Sequence, residues 1–283
     1  VKIAEILAQA KREIANAGVS NSGLDARVLL AHTLSFSNEQ IIFNPDFELS
    51  KKQQDDFLQA VARRVNREPV SHIIGKKEFF GRDFFVNSDV LDPRPDSEIL
   101  IETILKNFSK KNPPQKILEI GVGSGCLIIT LLLHYSQAAG TGLDISQKAL
   151  EICKKNAHIH EVLTGLDLRK SDVFSVLNED EKFDLLISNP PYIPSLDILQ
   201  LEPEVRIHEP LSALDGGIDG LDFYRRIAAD SKKFLTKNGE IFLEIGRAQE
   251  EKINEIFSKS GFKLMAATPD LSGIIRVLHF EKC

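Results

Sequence analysis

The segment Lys116-Ile117-Leu118-Glu119-Ile120-Gly121-Val122-Gly123-Ser124-Gly125, followed at once by Leu127-Ile128-Ile129-Thr130-Leu131-Leu132, constrains the fold of this chain more than any other. A short apolar run ends in a turn with glycine at alternate positions, and a helical apolar pattern starts directly after it. Glycine lets a backbone approach a ligand closely, and the first turn of a helix carries N–H groups without an intrahelical partner. The chain then repeats the theme. Residues 140–143, 166–170, 183–188 and 240–245 read as strands with helical patterns between most of them, and residues 262–266 and 274–280 add a terminal antiparallel hairpin. This alternation predicts an α/β architecture, a Rossmann-like and mostly parallel sheet covered by helices on both faces.

Upstream, residues 1–74 read as a small helical bundle. Ile3, Ile6, Leu7, Ala10 and Ile14 share one helical face before Gly18, and a second helix is expected over residues 24–34. A third starts at Ser50, where the hydroxyl and Gln53 three residues on form a capping-box signature; it carries Phe57, Leu58, Val61 and Val65 and ends before Pro69. Residues 75–92 switch to the short aromatic runs Glu78-Phe79-Phe80-Gly81 and Phe84-Phe85-Val86, a hairpin connector to the sheet domain over residues 93–283.

Composition narrows the function classes. With 283 residues, 42% apolar and 27% charged, the chain can bury a large core and a smaller one. A net charge of -6 argues against binding nucleic acid through a blanket of lysine and arginine. Cys126, Cys153 and Cys283 offer neither a disulfide framework nor a paired metal motif, and no run approaches the roughly 18 apolar residues of a membrane span. A monomeric cytoplasmic protein is expected, with no membrane attachment. The histidines, including His158 and His160, show no ligand spacing, so no metal is expected, and Lys110-Lys111 and Lys232-Lys233 read as solvated faces.

The glycine turn departs from the dinucleotide fingerprint, because Cys126 stands where the third glycine belongs. Its spacing is similar to the E-x-G-x-G-x-G loop of methyltransferases. That reading gives S-adenosylmethionine as cofactor, held by Glu119, Gly121, Val122, Gly123, Ser124 and Gly125. Asp144 at the next strand end is placed to accept from the ribose hydroxyls and Asp172 to meet the adenine amino group. After the fourth strand comes Asn189-Pro190-Pro191-Tyr192. An amide or aryl amine nitrogen is a poor nucleophile because its lone pair is delocalised. Accepting its protons on the Asn189 side-chain oxygen and the Pro190 carbonyl turns the lone pair toward a methyl donor, and two prolines stiffen the geometry. Asn189, Pro190 and Tyr192 are therefore the candidate catalytic residues, with Tyr192 as an aromatic wall; Pro191 joins them as a substrate contact, and Arg94 is expected either to contact the substrate or pair with the cofactor carboxylate, or to serve as a surface anchor.

Nearly the whole chain resembles the HemK-type glutamine methyltransferases of peptide-chain release factors. The resemblance rests on Arg67-Glu68-Pro69-Val70 with Ile74-Gly75, Pro93-Arg94-Pro95-Asp96-Ser97-Glu98, the glycine loop, Asn189 to Tyr192, and Glu209-Pro210 through Asp215-Gly216-Gly217, Asp219-Gly220-Leu221 and Tyr224-Arg225. It implies a class I methyltransferase fold behind a substrate-docking helical domain. It further implies N5-methylation of the glutamine in the Gly-Gly-Gln motif of class 1 release factors, with S-adenosylhomocysteine as product, and cofactor contacts at Val173 and Asn189 besides the glycine loop and Asp144. The alternative is methylation of the adenine amine in DNA or RNA, since the tetrapeptide is shared with those enzymes. Glu209 and Asp215 are expected either to brace the active-site loop or to serve simple turns. Val173, Asp92 and Ile274-Ile275 depart from the family pattern, and cofactor affinity and partner contacts are where these departures are expected to act.

Overall fold

The computed structural model describes residues 1–108 and 112–283. Lys110 and Lys111 lie outside the described residues, whereas Lys232 and Lys233 are exposed. The chain begins with helices α1 (Ile3–Asn16), α2 (Ser22–Leu34), α3 (Asn38–Phe43), α4 (Lys51–Val65) and α5 (Val70–Ile74). Strands β1 (Lys76–Phe79) and β2 (Arg82–Phe85) follow, then α6 (Glu98–Asn107), β3 (Lys116–Ile120), α7 (Cys126–His134), β4 (Ala139–Asp144), α8 (Gln147–Ile159), β5 (Leu166–Lys170) and β6 (Phe183–Ser188). The remainder comprises α9 (Pro203–His208), α10 (Asp222–Phe234), β7 (Leu235–Glu244), α11 (Glu250–Lys259), β8 (Phe262–Pro269) and β9 (Ile275–Lys282). These elements form two compact units, one of residues 1–76 with 202–208 and one of residues 77–201 with 209–283.

In the helical unit the apolar stripe of α1 is buried, Ile3, Ile6, Ala10 and Ile14 packing with Leu29, Leu30, Phe57 and Val61. Each such large side chain withdrawn from water contributes about 1.5–3 kcal/mol. The Ser50 box forms as the sequence predicts: Gln53 N–H donates to Ser50 Oγ at 3.3 Å and Ser50 N–H to Gln53 Oε1 at 2.9 Å. The same device opens α3 through Ser37 and Gln40. That helix escapes a periodicity reading because it is one and a half turns long and buries only Ile41.

Residues 202–208 join this unit through ion pairs. Arg64, with its side chain 7% exposed, donates to Asp25 Oδ2 at 2.7 Å and to Glu204 Oε1 at 2.8 Å. Arg67 donates from Nε to Glu204 Oε1 at 2.8 Å and from Nη2 to Oε2 at 2.6 Å. Burial alone would raise the Glu204 carboxyl, but the bonds from Arg67 and Arg64 outweigh it and hold it below the ordinary value.

In the second unit β1 and β2 make a hairpin whose turn residues Phe80 and Gly81 both have positive φ, 52° and 73°, matching the twist of the flanking strands. The main sheet has seven strands in the order β5-β4-β3-β6-β7-β9-β8. Strands β5, β4, β3, β6 and β7 run parallel, and β9 runs antiparallel to both of its neighbours, β7 and β8. Its faces bury alternating residues. Ile117, Leu185, Ile187 and Phe242 lie on one side with Ile104 and Ile128, whereas Leu118, Leu186 and Leu243 lie on the other with Tyr224 and Phe257. β7 begins five residues before the predicted strand because Thr236 to Gly239, polar and turn-like in sequence, are carried through a register shift against β6.

Candidate active site

Strand register assembles the site. Ile120 pairs with Leu143 and with Ser188, and Ser188 pairs with Leu243. The next residue on each strand, Gly121, Asp144, Asn189 and Glu244, therefore forms a row along the carboxyl edge, where the strand order reverses between β3 and β6. Ser188 Oγ donates to the Ile120 carbonyl at 2.7 Å, tying the two central strand ends together.

A cleft opens at this row, with about 1050 Å³ of free space including its solvent-filled mouth. Glu119, Gly121, Val122, Gly123 and Ser124 line it, as do Asp144, Asp172, Val173, Arg94, Asn189, Pro190 and Pro191. Gly121 and Gly123 have φ of 74° and 51°, and a Cβ on either would meet nothing within 4 Å. The left-handed backbone explains the glycines, and the free space leaves the peptide groups open to a ligand. Asn156 on α8 steadies the loop, its Nδ2 donating to the Ser124 carbonyl at 2.8 Å and to the Phe85 carbonyl at 3.0 Å.

The acidic residues differ in role. Glu119, 2% exposed, accepts from Ile128 N–H at 2.9 Å in the first turn of α7, and burial pushes its carboxyl well up. Asp144 accepts from Gly123 N–H through Oδ2 and from Ser146 N–H through Oδ1, both at 2.9 Å. Burial raises it too, and each oxygen keeps a further lone pair for a hydroxyl. Asp172 is exposed and paired with Arg226 at 2.6 Å. Val173 sits at φ 53°, an unfavourable region for a β-branched residue, with its carbonyl accepting from Ser171 Oγ at 2.8 Å. Open glycine backbone, a strand-end carboxylate and apolar walls from Val122, Leu143 and Val173 fit a nucleoside with an attached amino acid.

Two predicted site residues stand outside the cleft lining. Gly125 does not face it: a Cβ there would lie 2.5 Å from Cys153 Sγ and 2.9 Å from Ile129 Cδ1, so this glycine serves close helix packing. Tyr192 packs against the apolar core on the α10 face of the sheet, its carbonyl accepting from Gln249 Nε2 at 2.9 Å, and burial pushes its hydroxyl up to about 12. Among the described residues, the aromatic side chain lining the cleft is Phe223.

The segments Pro93 to Glu98 and Glu209 to Gly217 meet here. Arg94 Nη2 donates to both carboxylate oxygens of Glu209, at 2.7 and 2.5 Å. Asp215 Oδ1 accepts from Ser195 Oγ at 2.7 Å and from Gly217 N–H at 2.9 Å, bracing the chain that leaves Tyr192. Gly216 is required because a Cβ would approach Pro191 O and Tyr192 Cα at 2.8 Å each.

Behind Asn189 lies a group the sequence reading assigned only to a strand. Glu244, at the end of β7 and 2% exposed, stands beside Asn189 by strand register, and Ser97 and Asn189 both act to lower its carboxyl against the raising effect of burial. Asn189 Nδ2 donates to Ser97 Oγ at 3.2 Å. The signal was a lone acid in the apolar run Phe242-Leu243-Glu244-Ile245. Among the described residues, one set of metal-type ligands occurs, Glu240, His279 and Glu281, with ligand atoms within 4.8 Å of one another. Pairing of β7 with β9 creates it toward the opposite end of β7, so chain spacing gave no sign of it. His279 Nε2 lies 2.7 Å from Glu240 there. No helix among the described residues is long and apolar enough to cross a membrane.

The family model described as PrmC N-terminal domain matches residues 5–75, and the one described as Methyltransferase small domain matches residues 88–201. A release factor glutamine methyltransferase of Agrobacterium fabrum is 38% identical over 99% of this chain and 96% of its own length. A bifunctional methyltransferase of Rickettsia felis is 36% identical over 99% of this chain, which spans only 58% of that protein. In fold, the chain is similar to a methyltransferase from Pyrococcus furiosus, with a TM-score of 0.54 and 18% identity over 82% of this chain and 99% of that one. Sequence identity across both units, together with the strand order and the two loops at its reversal point, shows that the chain belongs to the release factor glutamine methyltransferase family.

Proposed function

We propose that this chain methylates N5 of the glutamine side chain in the Gly-Gly-Gln motif of class 1 release factors, with S-adenosylmethionine bound along Gly121 to Ser124, Asp144 and Val173. When bound, the cofactor supplies an electrophilic sulfonium methyl group. The observation that carries the reading is Asn189 at the cleft wall with its Nδ2 engaged by Ser97, which leaves Oδ1 to accept from the substrate amide. The Pro190 carbonyl is the second acceptor, and the two prolines hold both at low entropic cost. Holding the substrate N–H groups localises the nitrogen lone pair and aims it, so catalysis rests on positioning and oriented dipoles. The helical unit docks the release factor, and the net charge of -6 speaks against nucleic acid as substrate.

The test uses methyl-labelled cofactor with an intact release factor, a Gly-Gly-Ala variant and an adenine-containing oligonucleotide, followed by peptide mass spectrometry. Label confined to the glutamine of the intact motif supports the proposal, and label on adenine overturns it. Asn189→Ala abolishes transfer while cofactor binding persists; undiminished turnover would remove Asn189 from the mechanism.

A further inference from the structure

A side-chain amide is nearly symmetric in shape, so the backbone alone does not decide which end of Asn189 faces the substrate. The choice matters, because the oxygen end accepts from a substrate amide whereas the nitrogen end opposes donor to donor and leaves the lone pair unaimed.

The surroundings of Asn189 supply a selector. Register places Glu244 beside it, one residue past the Ser188–Leu243 pair. The Tyr224 hydroxyl donates to the Glu244 carbonyl at 2.8 Å and fixes the backbone at that point. Glu244 is not among the cleft-lining residues, while Asn189 and Ser97 are, so its carboxyl stands behind them. Its Oε2 is fully buried with no hydrogen-bond partner among the described residues. Such an orphan is costly and calls for a reason. An ionised carboxylate can only accept, and Ser97 can accept from Asn189 while donating to Glu244.

We propose that Glu244 is a positioning residue which, together with Ser97, engages the Asn189 amide nitrogen and thereby keeps Asn189 Oδ1 turned toward the nitrogen to be methylated. The proposal rests on the function proposed above and adds the residue that orients its principal acceptor.

Protonation provides a handle. Burial pushes the Glu244 carboxyl up to about 7, against the lowering effects of Ser97, Arg276 and Asn189. The charged and titratable groups around it are Arg276 from β9, Asp96 before α6, Tyr192 after β6, Tyr224 of α10 and Cys126 of α7. A protonated Glu244 becomes a donor at one oxygen and loosens its hold on the Asn189 nitrogen. Wild-type turnover therefore declines as pH falls through about 7.

The experiment compares wild type with Glu244→Gln, which is nearly isosteric and uncharged. The expected result is a fall in kcat of about 10- to 100-fold, with KM for release factor and cofactor affinity little changed and the acid limb near pH 7 abolished. Equal kcat and an unchanged limb overturn the proposal, as does a loss explained wholly by weaker cofactor binding. A second readout needs no turnover: the Asn189 side-chain NH₂ resonances, assigned by their absence in Asn189→Ala, shift with pH near 7 in wild type and not in Glu244→Gln. Resonances insensitive to pH in wild type overturn the proposal. If wild type labels adenine rather than glutamine, the proposed function fails, yet the resonance titration still decides the role of Glu244.

Discussion

Substituting Gly125→Ala separates packing from ligand binding within one loop. The position has φ 80°, and the added Cβ would lie 2.5 Å from Cys153 Sγ and 2.9 Å from Ile129 Cδ1. A left-handed alanine costs about 1–2 kcal/mol. Forcing a methyl group into a filled interior costs about 1–3 kcal/mol more. Reduced freedom of the unfolded chain returns about 0.4–1 kcal/mol. The net loss is about 1–5 kcal/mol, measurable by urea unfolding of the full chain. Because Cys153 is fully buried and supplies the nearest atom, the same substitution in a Cys153→Ala background loses part of its steric share. A coupling of about 1 kcal/mol is expected from the double-mutant cycle. Since Gly125 does not line the cleft, cofactor affinity of the folded variant stays within about threefold of wild type, or about 0.7 kcal/mol. Stability within about 0.5 kcal/mol of wild type, or a penalty indifferent to Cys153, would refute the reasoning.

Two further substitutions probe the segments that follow the tetrapeptide. Glu204→Gln removes the charge shared by Arg64 and Arg67 and lowers stability by about 2 kcal/mol at neutral pH. The wild-type carboxyl is depressed in the folded state, so its contribution is present above the ordinary value of 4.5 and is lost as pH falls through the lower folded value. Urea curves for the two proteins should thus converge in acid, and a constant gap down to about pH 2 would contradict the ion-pair account. Gly216→Ala drives a methyl group against Pro191 O, Tyr192 Cα and Gly220 Cα, backbone atoms that cannot swing aside. It should reduce kcat by about tenfold or more with cofactor affinity retained, and steady-state kinetics showing full turnover would argue that the loop shifts freely.

The parts of the molecule legible in the sequence were those whose signals are local. Ser50 and Gln53 announce a helix start within four residues, and the glycine loop sits between an apolar strand and an apolar helix with nothing intervening. Asn189 could be placed beside Gly121 because parallel strands of similar length end on one edge. What escaped depends on distant partners. Glu204 looks like surface acid until Arg64 and Arg67 are brought to it from 140 and 137 residues away. Glu244 reads as one residue of an apolar strand, and only the register against β6 sets it next to Asn189. Tyr192 follows two prolines whose course no periodicity describes, and its ring joins the core rather than the cleft wall.

The excursion of residues 202–208 changes what a cut in this chain can achieve. The helical unit is assembled from two stretches of sequence, so the peptide backbone passes between the units three times, after residues 76, 201 and 208. The second and third passages flank a segment that begins ten residues after Tyr192 and ends at His208, next to Glu209, the partner of Arg94. A catalytic fragment made by deleting the first 76 residues would therefore carry a peptide whose ionic partners have been discarded, tethered within a few residues of the substrate-binding loop. Inheritance, exchange or truncation of the helical unit has to treat the two stretches as one piece.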